Sequence, residues 1–199
     1  MRLRLRDRPP VDYQVARDNH VWPDHMLRVQ ITAALLAWGR PVTVIDPAAG
    51  DGSIVAAAHK LHAIDGVYLS DISMPNFYRL GTELRDQFPP NNFKAACQTI
   101  EEALSGDDHF DAVVLTEILE HVEDPVAILK LARAKADMLI ASSPVFLGDE
   151  TLDPNPEHLW MFDADGYHEM LVESGWSEFA FLPMHLREFV YDFQIWAAR

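Results

Sequence analysis

Three side chains in one short run, Glu117, Glu120 and His121 in Thr116-Glu-Ile-Leu-Glu-His-Val-Glu-Asp-Pro125, have the types and the spacing for chemistry. If the run turns as a helix, the i, i+3 and i, i+4 spacings put all three on one face. Two carboxylates and an imidazole held that close repel or desolvate one another unless a cation or hydrogen-bond donors compensate. Mixed oxygen and nitrogen ligation suits Mg²⁺, Mn²⁺ or Zn²⁺, and such an ion could hold two substrate oxygens and lower a hydroxyl pKa. Without a metal, Glu117 reads as a cofactor contact, Glu120 as a solvated helix residue, and His121 as an orienting group or a general base with its ordinary pKa near neutrality.

A second constellation lies earlier, where Val-Thr-Val-Ile-Asp-Pro-Ala-Ala-Gly-Asp-Gly-Ser-Ile, residues 42–54, collapses from an apolar run into a turn of small residues. Val42, Val44 and Ile45 read as a buried strand stopping at Asp46, their β-branching suited to a sheet covered on both faces. Gly50 and Gly52 are free to take positive φ, which lets a ligand approach the backbone, and Ser53 is expected to cap the helix that follows. Asp71 ends the next apolar run, 19 positions beyond Gly52. In nucleoside-binding α/β units a carboxylate at that point accepts hydrogen bonds from the ribose diol. The other reading of Asp71 is a helix cap for a segment beginning near Ser73. Gln98 follows a third strand end, where it could meet an adenine edge or belong to an ordinary polar loop with its neighbours.

The elements that must position these groups follow from periodicity and punctuation. Strands are expected at residues 42–45, 66–71, 93–97, 110–116 and 137–141, each followed by a loop or helix. A helix opens at Trp22-Pro23-Asp24 and closes at Gly39, with Leu27, Ile31, Leu35 and Trp38 at helical spacing and expected inward. His20 and His25 flank its start and read as surface residues. Helices are also expected over residues 75–87, after Asp124-Pro125, and after Asp163, where Tyr167, Met170 and Leu171 turn inward before Gly175. Two final β-rich runs, residues 176–182 and 189–197, are too closely spaced for a helical crossover and therefore pair antiparallel. The loop over residues 145–162 has the length and composition of a lid. Phe146, Trp160 and Phe162 would make the pocket under it partly apolar.

The 199 residues suffice for one well-filled core, so a single domain is expected over 1–199. It divides into an arm and helix (1–41), a ligand-binding half (42–145), the lid (145–162) and a closing helix and hairpin (163–199). With 49% apolar and 24% charged residues, the composition is that of a soluble globular chain with no membrane span. Cys97 is the sole cysteine, which points to a reducing, cytoplasmic setting. The net charge of −15 disfavours large nucleic-acid partners, since phosphate tracking needs clustered Lys and Arg. Arg2, Arg4, Arg6 and Arg8 crowd the start and read as a solvated, partly frayed terminus.

Five βα units, a closing antiparallel hairpin, a glycine turn after the first strand and an acid after the second resemble the class I S-adenosylmethionine-dependent methyltransferases. The resemblance implies an α/β, three-layer Rossmann-like fold with a seven-stranded, mostly parallel sheet and an antiparallel closing strand. It sets Asp46, Ala48, Ala49, Gly50 and Gly52 along the cofactor, with Ala48 where the first glycine usually sits. Asp71 would hold the ribose, Gln98 and Thr99 match the adenine side, and Ile72, Thr116 and Glu117 also border the cofactor. A dinucleotide reading fares worse, because a pyrophosphate beside Asp46 and Asp51 is repelled, whereas a cationic sulfonium is not.

The E-x-x-E-H run is similar to that of ubiquinone-pathway-type O-methyltransferases and of small-RNA 2′-O-methyltransferases. In the latter a second histidine follows strand five, and His158 matches it here. These likenesses imply methyl transfer from S-adenosylmethionine to an oxygen of a small molecule, giving S-adenosylhomocysteine, with His121 and then His158 as the candidate base. The alternative is a metal-assisted RNA 2′-O-methyltransferase with Glu117, Glu120, His121 and His158 as ligands. An inactive cofactor-binding subunit is a third reading, resting on the Ala48 departure.

Overall fold

A computed structural model of the protein describes residues 1–6, 23–61, 64–145, 155–185 and 192–199. His20, Trp22, Phe146 and Phe189 lie outside the described residues. The first half contains β1 (Arg2–Arg4), α1 (Pro23–Gly39), β2 (Thr43–Asp46), α2 (Ser53–Lys60), β3 (Gly66–Asp71), α3 (Met74–Glu83), β4 (Phe93–Cys97) and α4 (Ile100–Ser105). The second contains β5 (Phe110–Thr116), α5 (Pro125–Lys135), β6 (Ala136–Pro144), β7 (Trp160–Phe162), α6 (Ala164–Glu173), β8 (Ala180–Met184) and β9 (Phe193–Ala198). The main sheet has seven strands in the order β4-β3-β2-β5-β6-β9-β8, parallel except for β9, which runs antiparallel to both neighbours. This is the three-layer arrangement expected from the sequence.

Alternation along the strands builds the two cores. Val44, Ala112, Val114, Ile140 and Ile195 point to one face, where α1, α2 and α3 cover them. Ile45, Val113, Leu115, Leu139 and Trp196 point to the other, where α4, α5 and α6 supply Leu104, Leu129 and Leu171. Helix starts follow the capping chemistry: Asp124 accepts from Ala127 N ahead of Pro125, and Asp163 accepts from Gly166 N. Among the described residues no helix is long and apolar enough to cross a membrane.

Several local expectations change. Helix α1 is rotated from the face its apolar spacing suggests: Val29, Thr32, Ala33 and Leu36 are buried, while Leu27 and Trp38 are 43% and 72% exposed. Ile31 and Leu35 keep only partial contact with the core. Ser53 does not cap α2; Gly52 does so in the left-handed conformation, φ 71°, and Asp51 accepts from Ser53 N. Residues 99–102 are no polar loop, because Thr99 and Glu102 form a capping box that starts α4. The arginine arm is ordered over its described part, where β1 pairs antiparallel with β7 and Arg4 bonds Glu123 at 2.8 Å.

The closing pair is shifted toward the C-terminus relative to the apolar runs that announce it. Trp176 is buried outside β8, its Nε1 donating to Leu129 O. Helix α3 stops short of Gln87, which belongs to a following 3₁₀ turn.

Gly52 has a packing duty besides its backbone one, since a Cβ there would overlap the side chains of Leu84 and Leu80. Gly52→Ala adds left-handed strain to this overlap and is expected to destabilise the protein by about 2–3 kcal/mol. Denaturant unfolding of the variant measures this, and a loss near zero would remove the packing assignment.

Candidate functional site

The order in which strands join the sheet reverses at β2, which has β3 on one edge and β5 on the other, and such a switch point opens a crevice at the carboxyl ends of the strands. A cleft of 480 Å³ lies there. The β2 turn contributes Asp46, Ala48, Ala49 and Gly50, the β3 end Asp71 and Ile72, and the β4 end Gln98 and Thr99. Thr116, Glu117, Glu120 and His121 line it after β5, and His158 lines it from the segment before β7. Of the residues singled out as cofactor, base or metal candidates, Gly52 alone is absent from the wall, being turned into the α2–α3 packing. Trp160 and Phe162, expected to make the pocket apolar, are absent too, packed instead in and against the core of the α4–α6 face.

The cradle is built of backbone donors and desolvated acids. Gly50 takes φ 55°, and its N–H donates to Asp71 Oδ2 at 2.9 Å. Asp71 Oδ1 accepts from Ser73 N at 2.8 Å, so the carboxylate also serves the helix start, as its second reading held. Ala49 N donates to Ser70 O, tying the turn to β3. Burial raises the pKa of Asp71 against the hydrogen bonds from Ser73, Asn76 and Gly50. Asp46 is pushed up to about 7, first by burial, with the charges of Asp71 and Asp51 adding to it and Ala48 N–H and Arg28 opposing. Gln98 Nε2 donates to the Tyr68 hydroxyl at 2.7 Å, and the Thr99 side chain is engaged in its cap.

The run after β5 is a turn and not a helix, so the expected common face for Glu117, Glu120 and His121 does not form. Glu117 sits at φ 54°, costly for a side chain with a Cβ, and is held by its N–H to Ser142 O and its Oε1 to Ser142 Oγ at 2.7 Å. It is thereby tied to β6. The group whose ligand atoms lie within 4.8 Å of one another is Glu120, His121 and His158. Glu120 and His158 are buried, and the two imidazoles meet edge to face at 4.8 Å between centroids.

Hydrogen bonds fix the imidazole tautomers. His121 Nδ1 lies 3.1 Å from Glu157 O, and a carbonyl only accepts, so Nδ1 carries the proton and Nε2 is the basic nitrogen. Asn155 Oδ1 accepts from Glu157 N at 2.9 Å, which turns its Nδ2 toward His158 Nε2 at 3.0 Å. His158 is therefore protonated on Nδ1. Leu159 N and Trp160 N both donate to Glu120 O, stapling the His158 segment onto the β5 turn. Tyr167 of α6 is fully buried, its hydroxyl without a hydrogen-bond partner among the described residues. Its pKa is raised first by burial and then by the charges of Glu120 and Glu117.

Several wall residues lie outside every motif, His25 among them despite its reading as a surface residue. His25 and Arg28 of α1 line the cleft, with His25 edge-on to Phe193 and Arg28 buried beside it. A charged residue on the core side of an apolar helix was the available clue, obscured by the stripe that points outward. Asn76, Asn155 and Phe193 join the wall only through tertiary placement.

Residues 45–134 match the family model described as a methyltransferase domain. No curated protein matches the sequence significantly. Among solved structures, the magnesium protoporphyrin IX methyltransferase of Synechocystis PCC 6803 with bound S-adenosylhomocysteine is 22% identical, with 94% of this chain and 90% of that one covered and a TM-score of 0.67. The N-methyltransferase NodS of Bradyrhizobium japonicum WM9, also with S-adenosylhomocysteine, is 14% identical over 89% and 87%, TM-score 0.69. The [4+2]-cyclase SpnF is 14% identical over 85% and 80%, TM-score 0.69. The fold is that of the S-adenosylmethionine-dependent methyltransferases, and at these identities the solved structures establish the fold alone.

The raised Asp46 pKa has a stability consequence. Asp46 favours the fold when protonated, so its contribution is fully present below the unfolded carboxyl range and is lost as pH rises toward 7. The shift from 3.8 to about 7 amounts to a penalty on the order of 4 kcal/mol at pH 8. Asp46→Asn should raise the Tm of the ligand-free protein, with the gain over the unsubstituted chain widening between pH 5 and pH 8. A pH-independent difference in thermal melts would refute the buried-charge account.

Proposed function

Proceeding from a methyltransferase domain on a methyltransferase fold, we propose that this protein transfers a methyl group from S-adenosylmethionine to a hydroxyl oxygen of a small molecule, leaving S-adenosylhomocysteine. One observation carries the reading: a single cleft holds both a desolvated acidic cradle and a turn bearing a tautomerically fixed histidine.

The cradle fits the donor chemically. Buried carboxylates that resist their own ionisation suit a sulfonium and an ammonium group and repel a pyrophosphate. Arg28, a guanidinium in the same cleft, suits the donor's carboxylate. Asp71 accepts from Gly50, Ser73 and Asn76 and, with roughly four acceptor positions in all, retains one for a ribose hydroxyl. Gln98 Oε1 can accept from an adenine amino group, and Ile72 offers exposed apolar surface beside it.

S-adenosylmethionine, when bound, supplies an electrophilic methyl carbon. His121 takes the acceptor's hydroxyl proton at Nε2 as the oxygen–carbon bond forms and the carbon–sulfur bond breaks in line. The Glu157 carbonyl holds the ring in the tautomer this requires, and the nearby Glu120 carboxylate stabilises the resulting imidazolium. His158 is the second candidate, because Asn155 already engages its Nε2.

The convergence of Glu120, His121 and His158 supports a second reading, in which these three hold a divalent cation that assists methylation of a hydroxyl, including the 2′-OH of an RNA end. Two imidazoles with one carboxylate suit Zn²⁺ or Mn²⁺ better than Mg²⁺. The chain's charge of −15 weighs against RNA.

Calorimetry with S-adenosylmethionine should show binding to the unsubstituted protein and at least tenfold weaker binding to Asp71→Ala. Unchanged affinity in that variant removes the ribose assignment, and no binding by the unsubstituted protein favours a non-catalytic role. In a screen of small hydroxylated acceptors and RNA ends, read as S-adenosylhomocysteine formed, His121→Ala should lose about 10²–10⁴ in turnover while still binding the cofactor. Turnover abolished by EDTA and restored by Zn²⁺ or Mn²⁺ would favour the metal-assisted reading.

A further inference from the structure

The arginine arm reaches the reaction site by a route no motif announces. Leu5 N donates to Leu159 O at 2.7 Å, continuing the β1–β7 pairing next to His158. Arg6 Nη1 donates to His158 O at 2.7 Å and to Asn155 O at 3.1 Å, closing the turn whose Asn155 amide engages His158 Nε2. The bridging guanidinium is part-buried, so its two bonds to carbonyls are charge-assisted contacts shielded from bulk water.

We propose that Arg6 is a positioning residue: by clamping the carbonyls of Asn155 and His158 it fixes the His158 imidazole in its Nδ1-protonated form and in register with Glu120 and His121. The proposal rests on reading His158 as part of the reaction site, but its mechanical content does not require methyl transfer. Without the clamp, the Asn155-to-His158 turn loses a side chain that spans both of its ends from just beyond β1. The Asn155 amide then no longer selects the tautomer, and the ring reverts to the mixture of a free imidazole.

Histidine-selective ¹⁵N NMR on the full chain at pH 8, where an ordinary imidazole is neutral, reads this directly. The His158 signals are assigned by their absence in His158→Gln. In the unsubstituted protein the two ring nitrogens should show the wide separation of one protonated and one bare nitrogen. Arg6→Ala should collapse that separation toward averaged positions, and Arg6→Lys, which keeps a cationic donor, should recover part of it.

Gly166→Ala supplies a second route that leaves Arg6 in place, because a Cβ at Gly166 would overlap the backbone of Met1 and push β1 away. It should produce the same collapse, which keeps the test alive if Arg6→Ala does not fold. An unchanged His158 pattern in a folded Arg6→Ala protein overturns the proposal. Cofactor calorimetry separates the two failures. An unsubstituted protein that binds no S-adenosylmethionine sinks the reaction reading and leaves the histidine signature intact, whereas variants that bind it normally and retain the signature sink the clamp alone.

Discussion

The crevice depends on carboxylates that the fold holds out of water. Strands β2 and β3 are parallel and in register, with Asp46 beside Leu69, so their acidic ends finish as near neighbours at one edge of the same layer. Both faces of the sheet are covered, which removes solvent from the flanks of these groups, and the donors left to them are chiefly backbone amides of the turns they terminate. Gly50 matters here because its left-handed conformation aims an N–H at Asp71. The resulting negative field is a cost to the ligand-free chain and a source of selectivity for a cationic ligand, since whatever neutralises it stabilises the folded state by mass action.

A different economy operates after β5. There the backbone is bent into a left-handed residue at Glu117, and Ser142 on the neighbouring strand compensates with both a main-chain and a side-chain bond. The bend separates Glu117 from Glu120 and His121, which a helix would have stacked. It also frees the Glu120 carbonyl, outside any helical ladder, to accept two N–H groups from the segment carrying His158. One strained residue thus explains why two carboxylates of the same short motif have different partners and different surroundings.

The fold was legible where local chemistry dominates. Alternating β-branched runs, the small-residue turn and the Asp-Pro helix start at Asp124 each specify their structure within a few residues. The face of α1 was not legible, because the apolar spacing of Leu27, Ile31, Leu35 and Trp38 reports amphipathicity without reporting which face meets the sheet. The chain instead buries Asp24, Arg28 and Thr32, with Arg28 lining the cleft, a choice made by tertiary context. Thr99 and Glu102 carry a readable capping box, but the helix it starts is only 6 residues long, too short for an apolar period to mark it. The ordering of Arg2–Arg4 could not be read at all, since its partner strand lies at Trp160–Phe162, far along the chain.

The same division runs through the site. The matched stretch, residues 45–134, contains the cradle acids, Gln98, Glu120 and His121, whereas His25, Arg28, Asn155, His158 and Phe193 come from outside it. On the proposed reading, the acidic cradle and the first candidate base therefore belong to the portion of the chain that marks the fold, while Arg28 and the other groups facing them are contributed by the termini and the segment after β6. A fold shared with an N-methyltransferase and a [4+2]-cyclase does not by itself fix the reaction, which has to be argued from the residues of the cleft. Under the proposed reading, the choice of acceptor lies in how β1, α1 and the His158 segment are held against one another.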